Sequence, residues 1–394
     1  MSKILIINAG SSSIKWNLFS SKLQVEAKGV AQRIKMKEGI LSLEYQGKKE
    51  DISVELPSFL ETVKILVSLW KERQIISDFS EISQVAFRVV NGGINLQSTC
   101  EVNESSLSYL KDAIDLAPLH NPGAINAIEA FKEYLPNAKM TMHFDTSFHK
   151  TLSKLAYTYP INAKLSNELN IRKYGFHGLN HHYISLKTAE ILNKKSVNMV
   201  SLHIGNGASL CAIENGKSID TSMGFTPLAG IMMGSRSGDI DPSIIQYVMK
   251  AKNMSIDEVM SMLNEKSGML GVSGISSDLR DVQKVKDSNP QAQFALDLYT
   301  TRIADYLINY LNKISGNIDA IVFTAGVGEN DAYIRKEVVR KIKLLNLEID
   351  DDINKNLKFQ DYKLISTKNS SIPIFVIRAE EELYMAKEAI NFFK

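Results

Sequence analysis

The chain is poor in cysteine, has no long apolar run and carries almost no net charge. Its two cysteines, Cys100 and Cys211, lie far apart in 394 residues. They form neither a disulfide framework nor a CxxC metal or redox pair. No stretch approaches the ~18 consecutive apolar residues of a membrane-spanning helix. The first apolar run, Ile4-Leu5-Ile6-Ile7, stops at Asn8, too soon for the core of a secretory signal. The expected setting is the cytoplasm, with reduced thiols. Basic and acidic residues nearly cancel, 46 against 44 for a net charge of +2, and no block of one sign stands out. That balance argues against nucleic-acid or membrane partners. A composition 44% hydrophobic and 23% charged is that of an ordinary globular protein, and the length suits two domains better than one core.

What is present begins with a repeated device. Ile4 to Lys15 reads as apolar strand, small-residue turn, second strand, and Val200 to Leu210 reads the same way. Gly, Ser and Ala at the turns let backbone N–H groups approach a phosphate. Asn8 and Asn206 stand 198 positions apart, about half the chain, which suggests two related lobes with a nucleotide and a second substrate between them. Elsewhere strands alternate with helices, an α/β pattern. Ser58-Phe59-Leu60-Glu61 reads as a capping box. Val85 to Val90 and Met140 to Phe144 read as buried strands, and Asn121-Pro122 and Asn289-Pro290 open helices. Ile318 to Phe323 reads as a strand entering the glycine loop Ala325 to Asn330 and then a helix, a setting for an anionic or nucleotide ligand. The expected lobes are 1–147 with the terminal helix 382–394, and 148–381.

Several side chains carry candidate chemistry. Arg88 follows a strand and precedes Gly92-Gly93, and Arg236 sits in the small-residue loop Gly234 to Asp239. A guanidinium on such a loop matches phosphate or carboxylate; the plain alternative for each is an ion pair. All seven histidines lie between His120 and His203. His177 and His181 have helical spacing, but no Glu lies between them as in HExxH and no Cys is near, so zinc is disfavoured. Asn180 resembles a helix N-cap, which would leave His177 on the preceding loop, free to bond a transferring group or to serve the core. Asp145 can hold a metal-bound water, orient a nucleophile or cap a helix. Glu380-Glu381-Glu382 suits a helix dipole or a metal.

Together these segments resemble the acetate kinase family. Asn8 to Lys15, Phe144 to His149, Tyr174 to Gly178, Asp220 to Pro227, Gly234 to Pro242 and Phe323 to Asn330 occur in the family's order and cover nearly the whole chain. The resemblance implies the α/β fold of the acetate and sugar kinase, chaperone and actin superfamily: two similar actin-like, ribonuclease H-like lobes with a central cleft, usually in a homodimer. It implies reversible transfer of the γ-phosphoryl of ATP to acetate, giving acetyl phosphate and ADP. By position, Asp145, His177 and Arg236 would be catalytic. Arg88, Val90, Leu119, Phe176 and Pro227 would bind the acyl substrate. Lys15, His203, Ile204, Gly205, Asn206, Gly207, Asp278, Leu279, Arg280, Gly326, Val327, Gly328, Glu329 and Asn330 would bind nucleotide. Asn8 and Glu381 would serve Mg²⁺ or Mn²⁺. The chain departs from the family at Phe87 and Asn91, where histidines usually flank the substrate arginine. It departs also at Leu179-Asn180, usually Thr-Ser, at Ala229, where Glu is common, and at Ala379-Glu380, usually Thr-Asn, which leaves Glu382 beside Glu381 as a metal candidate. Alternatives are a propionate or butyrate kinase, since one methylene is worth only ~1–3 kcal/mol in an apolar pocket, a sugar kinase, or an actin-like nucleotide switch.

Overall fold

The computed structural model describes residues 2–394. The chain divides into two compact units, 1–147 with 380–394, and 148–379. The tail of the first unit begins two residues before the expected 382, so Glu381 belongs with Arg88 rather than with the following unit.

Alternating apolar residues build an eight-stranded sheet in the first unit. Its strands are β1 Lys3–Ala9, β2 Ser13–Ser20, β3 Val25–Gln32, β4 Gly39–Tyr45, β5 Lys48–Val54, β6 Ile82–Val89, β7 Cys100–Glu101 and β8 Lys139–Phe144, in the order β5-β4-β3-β2-β1-β6-β8-β7. The second unit holds β9 Met199–Ile204, β10 Ala208–Glu214, β11 Lys217–Thr221, β12 Ala320–Thr324, β13 Tyr362–Leu364 and β14 Ile374–Ile377, in the order β11-β10-β9-β12-β14-β13. From β3 to β7 the pairings run antiparallel, antiparallel, parallel, parallel, antiparallel. From β11 to β13 they run in the same succession. The two units are therefore versions of one topology, with β4 and β5 added to the first. The central strand β9 is buried on both faces, as it must be with helices on either side, and at every position, Ser201 and His203 included.

Helices close the faces. In the first unit, Phe59–Glu72 buries Val63, Leu66, Val67 and Trp70, and Trp70 meets Trp16 of β2 edge-on at 4.9 Å between ring centres. The expected capping box is made on one side only: Ser58 Oγ accepts from Glu61 N at 3.1 Å. Helix Asn121–Tyr134 presents Gly123 to the β1–β2 turn so closely that a methyl there would stand 2.2 Å from the Gly10 carbonyl oxygen. In the second unit the longest helix, Pro290–Lys313, starts at Asn289, whose side chain accepts from Gln291 N and Ala292 N. The glycine loop after β12 is not a loop. Ala325–Asn330 is itself a short helix that starts directly at Thr324, with Ala325 in the left-handed region at φ +66°.

Buried histidines tie stability to pH. Burial lowers His143 to about 3 and His182 to about 4. His149 also falls to about 4, chiefly through burial, with Lys173 adding to the effect. Unfolded histidines titrate near ~6.5, so between about 6.5 and 4 the unfolded chain binds more protons and stability falls as pH falls. Urea midpoints measured at fixed ionic strength should decline through this window. Replacing His143, which bonds Thr141 Oγ1 at 2.9 Å, by Gln should flatten the decline; an unchanged slope would remove His143 from the account.

Candidate active site

In the first unit, parallel pairing sets Asn8 of β1 opposite Arg88 of β6, and Arg88 opposite His143 of β8. The chain leaves β8 at Asp145, whose N–H donates to the Val89 carbonyl at 3.0 Å. Three strand ends thus gather polar residues at one edge. Arg88 Nε and Nη2 donate to the two Asp145 carboxylate oxygens, each at 2.9 Å, a bidentate fork. Nη1 reaches Glu381 Oε2 at 2.9 Å. Asp145 caps no helix; its carboxylate is taken by the arginine. Burial opposes the Arg88 charge, but Asp145 and Glu381 outweigh it and raise its pKa. Burial likewise pushes the Asp145 carboxyl up, with Arg88 working against the shift. Next to Glu381, Glu382 accepts from Lys15 Nζ at 2.5 Å. Val90 is half-buried and Leu119 is 58% exposed.

In the second unit, the β9–β10 turn is the organiser. Its register pairs Ile204 with Ala208 and His203 with Ser209, while the β1–β2 turn pairs Ala9 with Ile14 and Asn8 with Lys15. The later turn is one residue shorter, so Asn8 corresponds to His203, not to Asn206 as their spacing suggested. Gly207 leaves room for two side chains: a methyl there would lie 3.4 Å from Arg236 Nη1 and 3.7 Å from His177 Nε2. His177 and Arg236 are thereby brought together. The Arg236 loop is tied to the turn, since Gly234 N donates to the Asn206 carbonyl at 3.0 Å. A tight reversal at Gly238, φ +72°, packs the loop against Gly230 and Ile231. Arg236 Nη1 meets the Pro227 carbonyl at 3.4 Å, and among the described residues this guanidinium makes no ion pair. Burial works against its charge. A half-buried cation without a counter-ion is a standing offer to an anion.

His177 caps helix Gly178–Ile191 in the left-handed region, φ +57°, a conformation costing a non-glycine residue about 1–3 kcal/mol. This corrects the reading of Asn180 as the N-cap. Asn180 lies inside the helix, fully buried, with Nδ2 2.8 Å from His203 Nδ1. His203 stacks on His177, ring centres 4.0 Å apart. Phe176 is enclosed at 1% exposure, its carbonyl 3.0 Å from His149 Nε2.

Three of the expected nucleotide segments share one cavity of the second unit. Gly205, Asn206, Ser277, Asp278, Leu279, Arg280, Gly326, Val327, Asn330 and Asp331 line a space of about 570 Å³. Asp278 caps helix Leu279–Val285 and grips Arg280 through Nε at 3.0 Å. Gly328 and Glu329 do not line it. Glu329 Oε1 accepts from Ala379 N at 2.8 Å, fastening the short helix to the end of β14. Sequence reasoning missed Arg335, 1% exposed, which donates to the Gly328 carbonyl at 2.9 Å and to Asn354 Oδ1 at 2.7 Å. Its only local signal is a basic residue one turn into a helix, which usually means surface.

Within the second unit, a guanidinium without a counter-ion beside a glycine turn and a nucleotide-sized cavity suit a phosphotransferase of the α/β kinase class. The sequence model of the acetokinase family matches residues 3–387. The chain is 54% identical to an acetate kinase of Mycoplasmopsis pulmonis, with 98% of each covered, and 41% identical to an acetate kinase of Bacillus subtilis, with both covered in full. Among solved structures it superposes on Porphyromonas gingivalis acetate kinase with a TM-score of 0.94 at 34% identity, covering 100% of both chains. It superposes equally well, at 0.94 and 37% identity, on a propionate kinase from Francisella tularensis, covering 99% of this chain and 100% of that one. The chain belongs to the acetokinase family, kinases whose acceptor is a carboxylate.

The Arg335 bonds generate a first variant. Arg335→Met strands the Gly328 carbonyl and the Asn354 side chain in the interior and should lower unfolding stability by about 3 kcal/mol. Denaturant unfolding checks this; a loss under about 0.5 kcal/mol would mean that water or a neighbour replaces the guanidinium.

Proposed function

We propose that the chain catalyses reversible transfer of the γ-phosphoryl of ATP to acetate, forming acetyl phosphate and ADP by direct in-line displacement. The observation that carries this reading is Arg236: a cation without a counter-ion, set beside His177 and a side-chain-free turn. Acetate is already ionised at pH 7, because simple carboxyls titrate near ~4, so no general base is required. The difficulty is the approach of one anion to another. Arg88, Val90, Leu119, Phe176 and Pro227 are assigned to acetate. Arg236 and His177 are assigned to the oxygens of the moving phosphoryl, where fixed donors act most strongly. Asp145, locked to Arg88, holds that guanidinium's orientation. The cavity between Asn206, Asp278 and Val327 is assigned to the nucleotide.

The donor chemistry suits Mg²⁺. Asp145 and Glu381 offer hard oxygens on one edge beside Asn8, and among the described residues no group of three acidic, histidine or cysteine ligands forms a dedicated cage. Mg²⁺ needs only one or two carboxylates with substrate phosphates and water. When bound it would neutralise phosphate charge.

With Mg·ATP and acetate, hydroxylamine trapping should yield the acyl hydroxamate, and ADP release without hydroxamate would refute the reading. Arg88→Ala and Arg236→Ala should each lower turnover about 10²–10³-fold. The likeness to a propionate kinase keeps a second acid in play; kcat/KM should rank acetate above propionate and butyrate, since the branched Val90 side chain narrows the proposed pocket.

We infer a homodimer as the working form, in the cytoplasm where ATP is supplied. Helix Ser243–Lys252 buries none of its residues, leaving Ile244 43% and Tyr247 74% exposed. Among the described residues no helix is long and apolar enough to cross a membrane. Light scattering should give a dimer mass, and Tyr247→Glu should shift it toward monomer. A monomeric parent chain would end this inference.

A further inference from the structure

Behind His177 runs a line of alternating imidazoles and hydroxyls that the family motifs do not explain. His177 Nδ1 is 2.8 Å from Ser209 Oγ. The same oxygen is 2.9 Å from His181 Nε2, and His181 Nδ1 is 3.0 Å from Ser201 Oγ. Ser201, Ser209 and His181 are all fully buried. The spacing is built into the fold. Ser201 and Ser209 lie on adjacent strands β9 and β10, and His177 at the N-cap and His181 in the first turn of the same helix both reach Ser209 Oγ.

The proton count of this line is constrained. Burial, with His149 and His203 nearby, holds His181 well below its ordinary pKa and therefore neutral. A neutral imidazole carries one N–H, and a serine hydroxyl donates once. Two arrangements give each of these three contacts a proton while the Ser209 hydroxyl also donates within the line. In one, His177 Nδ1–H donates to Ser209, Ser209 to His181 Nε2, and His181 Nδ1–H to Ser201; His177 then has an N–H at Nε2 only as a cation. In the other, Ser201 donates to His181 Nδ1, His181 Nε2–H to Ser209, and Ser209 to His177 Nδ1; His177 is then neutral with its proton on Nε2. The Nε2 edge faces the turn where Arg236 Nη1 also lies, and the ring stacks on His203 at 4.0 Å. An added positive charge there is opposed by an unpaired guanidinium.

We propose that Ser209 and His181 are positioning residues that fix His177 as the neutral tautomer, with Nε2–H aimed at the phosphoryl oxygens. The role rests on the kinase reading above, while the tautomer can be read without turnover. Arg236 then supplies the charge and His177 a donor that adds none. Because Ser209 lies one residue beyond the Gly207-Ala208 step, the hairpin that admits the phosphate also sets the histidine's proton.

The test uses the whole protein labelled with ¹⁵N-histidine, the His177 signals being assigned by their absence in His177→Gln. At pH 7.5 the parent should show His177 with an unprotonated Nδ1 and a protonated Nε2. A protonated Nδ1, in the neutral ring or the cation, would overturn the proposal whether or not the enzyme is active. Ser209→Ala should lower kcat about tenfold, the equivalent of one hydrogen bond, with KM for ATP and acetate within twofold, and should mix the tautomers. Ser209→Thr, which keeps the hydroxyl, should recover most of the rate. Unchanged kcat in Ser209→Ala, with parent-like nitrogen signals, would also overturn it. A parent that forms no hydroxamate would instead defeat the kinase reading and leave the nitrogen measurement decisive for the tautomer.

Discussion

Burying a positive charge without a partner is the constraint around which the second unit is arranged. A guanidinium in a protein is always charged, so the cost of its desolvation is met only by polar contacts or by a ligand. Arg236 has a carbonyl and a methionine sulfur within reach, neither of which cancels a charge. The loop that carries it is held regardless. Met233 N donates to the Arg236 carbonyl at 3.1 Å, Ser237 N to Leu263, and Gly230 N to Asp239 Oδ1. Rigidity without neutralisation means that an arriving anion gains the full interaction and no ordering is required of the arm. Arg88 is the counterpart: held by Asp145 and Glu381 with N–H groups to spare, it is oriented more than it is exposed. One arginine is tuned for placement and the other for charge.

The shared topology of the units explains where such groups can stand. In both sheets an antiparallel hairpin leads into two parallel strands, and the hairpin turn and the parallel strand ends fall on the same edge. The first unit spends that edge on carboxylates and a paired arginine at the ends of β6 and β8. The second spends it on glycine and histidine at the end of β9, and on a short helix begun directly from β12. The same frame thus presents carboxylates with a paired arginine in one unit and glycine turns with an unpaired arginine in the other. The difference comes from side chains at equivalent positions, Asn8 in one and His203 in the other, and from a turn one residue shorter.

Much of this was legible in the residues. Glycine, serine and alanine between apolar runs announce the turns, because no other residues let the backbone come so close to a ligand, and both hairpins form. Parallel strands follow from burial and the helix start at Asn289 from local capping, whereas the helix at Asn121 starts without a side-chain cap, its Asn121 amide donating instead to the Asn91 and Ala113 carbonyls. What was illegible depends on contacts distant in sequence. Asp145 and Glu381 meet Arg88 only because strand pairing and the terminal helix bring them there. Asn180 carries a good cap signal, yet a tertiary bond to His203 takes its side chain and the helix starts earlier, at a left-handed histidine that no propensity favours. Glu329 sits in a glycine-rich segment that looks like a phosphate loop, but its carboxylate holds β14. Arg335 gives no local hint of burial, since a helical arginine is ordinarily solvent-facing.

Carboxylate phosphorylation makes these details consequential. An acceptor that is already an anion removes the need for a base and puts the whole demand on field and placement. Adding positive charge without limit is no solution, because each further cation repels those already present. The second unit limits its charge: His149 and His181 are held neutral by burial and add none behind Arg236. The same burial that keeps these rings uncharged makes the fold sensitive to acid, so the chemistry of the site and the pH range of the fold have one physical origin. A hydroxyl-bonded imidazole that donates without charge fits this economy better than an imidazolium stacked on a second ring. The polarity of the Ser201–His181–Ser209 line is thus the point at which packing, proton inventory and the proposed phosphoryl transfer meet.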